Sequence, residues 1–465
     1  MGISDFSASN TGLWNPIIQI GIIAALLLLA NVLKRKVKFV RNSLMPTAVL
    51  AGFVLLILRS TGILKIDAAF MEKLTYHALA FGFIALSLRI PEKKSESGAV
   101  VGSQSGALIV CTYLVQALVG LVISIGVAYT IKPDFFQASG VLLPMAYGQG
   151  PGQANNVGTQ YEALGMAGGQ SYGLSLAASG YLVACIIGVI AMTILSKKGK
   201  LRRYKDKEEV SGSVTVDFFQ AHDEAPISDS IDRLSIQVGL VAILYFITYL
   251  LIWGIVSLLE AVAPGLAKTV SSLLWGFNFI VGSVVAIVCR SLFKFFRKKK
   301  WMTHQYQNDY LLNRISGLAF DLMIVAGITS INIDELSGNW IPFLLMSVLG
   351  AIATYVFLWQ VCKKLYPGYV YEGFFSMFGM LTGTLSSGVL LLREIDPELK
   401  TPASNNLITG SSFGIVFGAP MLLLVSFAAS ETIPHAPLLT IAIAAVYLAA
   451  LMLFMFKIGK KKKTK

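Results

Sequence analysis

Charge is scarce in this chain. Only 14% of its 465 residues are Asp, Glu, Lys or Arg, whereas 55% are hydrophobic. Soluble domains carry about 25% charged residues, so the shortage excludes an ordinary water-soluble globule and points to a polytopic membrane protein. Cysteine is also sparse. Cys111, Cys185, Cys289 and Cys362 lie within or at the ends of apolar stretches, without paired spacing. That spacing excludes a disulfide framework or a thiolate metal site and leaves them as small core residues. There is no His-Glu-x-x-His helix, no Gly-x-Ser-x-Gly elbow and no Walker Gly-Lys-Ser/Thr loop. The sequence therefore reads as no enzyme, with no cofactor beyond an ion. No basic region precedes the first apolar stretch, 17–33, and no small-residue cleavage site follows it, so it reads as a retained helix.

The formal net charge of +13 does not mark a nucleic-acid surface. Its Lys and Arg residues gather in runs at 34–41, 197–207, 297–300 and 460–465, beside apolar spans, where they report topology. Eleven stretches read as spans of roughly 30 Å of hydrocarbon, near 14–33, 43–58, 74–90, 102–130, 173–195, 234–259, 269–292, 310–331, 340–362, 404–428 and 436–457. Two more, 135–147 and 370–381, are too short to cross and run into segments rich in glycine and small polar residues.

Placing the basic clusters in the cytoplasm makes residues 133–172 begin and end outside, and residues 366–403 begin and end inside. The two broken segments thus read as re-entrant hairpins entering from opposite faces. Helix by helix, the halves run in opposite directions, which is an inverted repeat. A weak internal likeness accompanies it, with Leu79, Ala80 and Phe81 recurring as Leu318, Ala319 and Phe320. The expected architecture is an all-α polytopic membrane protein of two inverted-topology repeats, each of five transmembrane helices plus one hairpin. The repeats cover 1–195 and 234–430. Residues 196–233 form a cytoplasmic linker, and 431–465 add one further helix and a basic tail. The N-terminus is expected outside and the C-terminus in the cytoplasm.

Irregular backbone survives at membrane depth only where it lines protein or water, so the breaks are where a site is expected. A returning half-helix that starts near the midplane points free N–H groups and a positive dipole end at the bilayer centre, which suits an anion. Amide and hydroxyl side chains complete such a site without a buried charge. The expected substrate contacts are Gln149, Gly150, Gly152, Gln153, Asn155 and Asn156 in the first break and Thr384, Ser386 and Ser387 in the second. Freed carbonyls with Thr and Asn oxygens suit sodium, with Thr159, Asp321, Thr382, Asn405 and Asn406 as candidate ligands. Glu162 and Arg393 each follow a break glycine by ten residues, a helical rise of about 15 Å, and so read as interfacial. Asp321, the one acid deep in a span, also admits a cation:proton antiporter. A passive pore is the third reading. His77 reads as a packing histidine.

The run LLPMAYGQGPGQA at 142–154, with Gly158, Thr159, Gln160, Tyr161 and Glu162 downstream, and the run EGFFSMFGMLTGTLSSG at 372–388 resemble the sodium:glutamate symporter family. The likeness extends over roughly 15–430. It departs from the family at 148–153, where familiar members carry a His-containing motif, and in having helix 436–457. The resemblance implies sodium-coupled uptake of glutamate or a related carboxylate. It also implies an elevator-like movement of the hairpin-bearing core, a homodimer and a bacterial inner-membrane location.

Overall fold

The computed structural model describes the chain outside residues 1–4, 43, 91–95, 202–226, 263–269, 272–273, 303–305, 397–400, 431 and 459–465. It also leaves out the side chains of 39, 96–99, 227–232, 386, 408 and 458. Most of the expected linker 196–233 and the terminal lysine run lie outside the described residues.

Among the described residues the protein is all-helical, and nine helices are long and apolar enough to cross a membrane. Two of the eleven expected spans fall short of that standard. Stretch 43–58 becomes Thr47–Ser60, whose 14 residues rise about 21 Å, less than the hydrocarbon thickness. Stretch 74–90 becomes Ala68–Leu88, which is long enough, but its polar first half with Glu72, Lys73, Thr75 and His77 lowers its hydropathy. Stretch 269–292 is described as Asn278–Lys298, with residues 263–269 and 272–273 outside the described set.

Two compact units are present, and both halves of the sequence contribute to each. The first comprises Met1–Glu72, Lys94–Lys205 and Val325–Lys465; the second comprises Lys73–Lys93 and Asp206–Ile324. In the second unit, Ile84, Leu88, Val241, Leu244, Ala286 and Leu312 form a buried core. His77, exposed, has its Nδ1 2.8 Å from the Tyr245 hydroxyl.

The first unit is built around the helix Glu96–Thr130. In its span Val100–Thr130, 72% of the apolar window is buried, against 17% for Thr11–Lys36, so the former is a central post and the latter peripheral. Small residues let other elements approach this post. A methyl added at Gly410 would stand 2.9 Å from Ser105 Cβ, and one at Gly140 would overlap the backbone of Gly120. Such small-residue seams are how helices associate where lipid provides no hydrophobic drive. Alongside, Phe374, Phe375 and Phe378 are fully buried with Tyr366, Leu381 and Leu391. Phe374 meets Tyr355 and Trp359 edge-on at 5.0 and 5.2 Å. This aromatic wedge locks the segment before the second break to the helix Trp340–Leu365.

Candidate functional site

In the first break the chain does not enter as an α-helix. A 3-10 turn, Gln137–Val141, is pressed on the central post by the Gly140–Gly120 contact, and the Ser124 hydroxyl donates to the Gln137 carbonyl at 2.5 Å. Pro144 then opens a π-turn, Pro144–Gly148, of the kind that interrupts helices at functional positions. Gly150 follows with φ +94° and ψ −174°, a conformation that only glycine adopts without strain. The helix Pro151–Ala163 begins at once. It starts at Pro151 because proline at the first helical position is pre-set for the turn and has no N–H to leave unpaired.

The second break is a tighter hairpin. Val370–Thr382 ends at Gly383, Thr384 is extended (φ −144°, ψ 173°), and Leu385–Arg393 returns. Glycines bring the two arms together. A methyl at Gly379 would lie 2.8 Å from the Ser387 carbonyl oxygen, and one at Gly388 would lie 2.5 Å from that of Ser376.

The two tips meet. A Cβ at Gly150 would stand 3.5 Å from Thr384 Cγ2, 3.6 Å from the Gly383 carbonyl oxygen and 3.9 Å from the Tyr181 hydroxyl. The helix Gly169–Lys197 backs this junction with Gly180, where even a methyl would collide with the Thr382 carbonyl and the Tyr147 ring. Neither returning helix is capped by a side chain at its first turn, so the leading N–H groups of both start at the same place. Thr384 Oγ1 and Ser387 Oγ are buried there without a hydrogen-bond partner, and Gln153 Oε1, in the first turn of Pro151–Ala163, is likewise buried and unpartnered. Each such atom costs the fold about 1–3 kcal/mol, and their gathering at the two helix starts indicates a place built for something other than stability.

The structure brings Gly150, Thr384 and Ser387 to this junction, with Gly152 and Gln153 in the first turn of the helix that starts there, and Gln149 has its Nε2 3.6 Å from Met145 Sδ. The Ser386 side chain lies outside the described residues. Asn155 faces elsewhere. Its Oδ1 accepts from Gln170 Nε2 at 2.8 Å, and the Gln170 N–H donates to Glu162 at 3.0 Å, fastening the returning helix to the next one. Asn156, buried beside it, lies 3.5 Å from Asn155 Nδ2. Asn155→Ala is therefore expected to act first on stability. It takes one acceptor from a buried amide and lowers stability by about 1 kcal/mol, read as a lower melting temperature in detergent.

The five residues named for sodium have separate local settings. The exposed Thr159 donates to the Asn155 carbonyl, and Thr382 to the Phe378 carbonyl. Asn406 donates to the Tyr369 hydroxyl at 2.9 Å, while Asn405 is exposed. Asp321 belongs to the second unit and is also exposed. Glu162 and Arg393 are both exposed.

Two residues at the breaks escaped the sequence reading. Tyr181 reaches the tip junction, and Gln116, from the central post, donates to the Leu381 carbonyl at 2.8 Å and to Thr354 at 3.0 Å. Gln116 had a signal available: an amide in the middle of an apolar span seldom lacks a purpose. Tyr181 had none, since tyrosine in a span is ordinary. A scan against models of known protein families finds no match for this chain, and a search of curated proteins finds none either.

Proposed function

We propose that this protein is a secondary active transporter that couples sodium entry to uptake of glutamate or a related anionic amino acid or carboxylate. The observation that carries the reading is the meeting of two broken segments, one from each half of the chain, at Gly150 and Thr384, with uncapped helix starts and unpartnered side-chain oxygens between them. Two helix N-termini stabilise a carboxylate. Oxygen atoms of carbonyls and hydroxyls suit sodium.

The inverted repeat and opposed re-entrant hairpins obtained from charge placement support the same reading. So does the resemblance of 142–154 and 372–388 to sodium:glutamate symporters, which also suggests an elevator-like movement and a homodimer. In this proposal the substrate carboxylate meets the starts of Pro151–Ala163 and Leu385–Arg393, with Gln153, Thr384, Ser386 and Ser387 around it. The N-terminus is outside, the C-terminus is cytoplasmic, and the membrane is a bacterial inner membrane.

Proteoliposomes given an inward sodium gradient are expected to accumulate labelled glutamate or another small carboxylate above equilibrium, and to saturate. Uptake that needs no sodium and rises linearly with concentration would favour a pore. Proton movement lost in Asp321→Asn, without carboxylate uptake in the parent, would favour the antiporter.

A further inference from the structure

Gln116 lies in the central post with no exposed surface. Its Nε2 donates to two acceptors on different elements: the Leu381 carbonyl, in the last turn before the second break, and Thr354 Oγ1 on Trp340–Leu365. Those two bonds decide which way the amide faces. The Thr354 hydroxyl proton is committed to the Gly350 carbonyl at 2.7 Å, so its oxygen accepts, and the Leu381 carbonyl can only accept. Turned over, the amide would set oxygen against oxygen. The other end, Oε1, is buried and without a partner. It faces Gly148, the last residue of the π-turn in the first break, where an added Cβ would stand 2.9 Å from it. One planar group thus grips the second break and holds a bare carbonyl oxygen beside the first.

We propose that Gln116 Oε1 is a ligand of the coupling sodium ion, an inference that rests on the transporter reading above. A buried amide oxygen is satisfied only by an N–H or O–H group or by a cation. An amide oxygen carries no net charge, and so fits a monovalent hard cation better than a divalent one, whose sites recruit carboxylates. Because Nε2 of the same amide holds Leu381, an ion on Oε1 is linked to the position of the second break. Glycine at 148 is required by the arrangement, since its Cβ would also overlap the Tyr113 ring.

The test is sodium-dependent thermal stabilisation of the detergent-purified protein without substrate, with choline chloride as the ionic-strength control. The parent is expected to be stabilised by sodium. Gln116→Leu is expected to raise the half-saturating sodium concentration tenfold or more. Gln116→Glu keeps an oxygen but loses the donors, and is expected to retain the shift. Equal sodium response in the parent and Gln116→Leu overturns the proposal and leaves the transporter reading intact. So does a Gln116→Leu that keeps its sodium response but loses glutamate affinity at saturating sodium, which would assign Oε1 to the substrate ammonium. Sodium stabilisation that depends on Gln116 but comes with no carboxylate uptake upholds the ion ligand and overturns the cargo.

Should the variants aggregate, hydrogen–deuterium exchange on the parent decides. Sodium is expected to slow exchange in peptides covering 140–155 and 378–388, and an unchanged pattern overturns the proposal.

Discussion

Ser387→Ala is expected to raise the melting temperature of the protein and, in the same variant, to weaken carboxylate uptake through KM. The two effects share one cause. The Ser387 hydroxyl is buried without a partner, so the unliganded fold carries its desolvation cost of about 1–3 kcal/mol, and alanine removes it. A hydrogen bond to a charged carboxylate contributes about 1.5–3 kcal/mol, so losing it raises KM by about tenfold or more. Thr384→Val replaces the second orphan hydroxyl with a methyl of similar volume and is expected to behave likewise. Thermal unfolding in detergent and uptake kinetics in proteoliposomes, run on the same preparations, test both halves. A variant that melts lower and transports normally would show that these hydroxyls serve packing. The opposed signs separate a binding role from the structural one assigned to Asn155, whose removal is expected to destabilise.

Gly140→Ala is expected to be the most damaging single methyl in the first unit. The added carbon would overlap backbone atoms of Gly120 and Leu121, and backbone, unlike a side chain, has no rotamer by which to yield. Overpacking of this kind costs about 1–3 kcal/mol and occasionally more, and two backbones in contact put this site at the upper end. The displaced element is the 3-10 turn that leads into the first break, so loss of uptake should accompany loss of stability. Gly126→Ala on the same central helix is the control, because nothing lies within 4 Å of its added methyl. It is expected to leave the melting temperature and uptake unchanged. Equal effects of the two substitutions would mean that the Gly120–Gly140 contact is not what seats the turn.

Much of this architecture was legible in the sequence because bilayer physics is simple. Length and apolarity mark spans, and irregular, polar chain inside an apolar run marks a break. On that basis Gly150, Gln153, Thr384 and Ser387 could be named from composition alone. The same logic misjudged Thr47–Ser60, whose charged and proline-bounded ends shorten the helix below a full crossing. It names Asn155 by residue type, and an amide looks the same in a sequence whether it binds a ligand or fastens two helices, as Asn155 does through Gln170. The sodium candidates are named by residue type alone, and that hydroxyls such as Thr159 and Thr382 donate to their own helix carbonyls is a local bond that a residue list does not reveal.

The sequence by itself determined the solvent this chain is made for, its helical class and the two places where its helices break, since each depends on properties of neighbouring residues. Only the tertiary structure decided that the breaks meet tip to tip, that Tyr181 joins them, and that Gln116 is held by the second break with its oxygen turned to the first. Those facts depend on contacts between residues up to a few hundred positions apart, which close-packed glycine seams bring together and which composition along the chain does not encode.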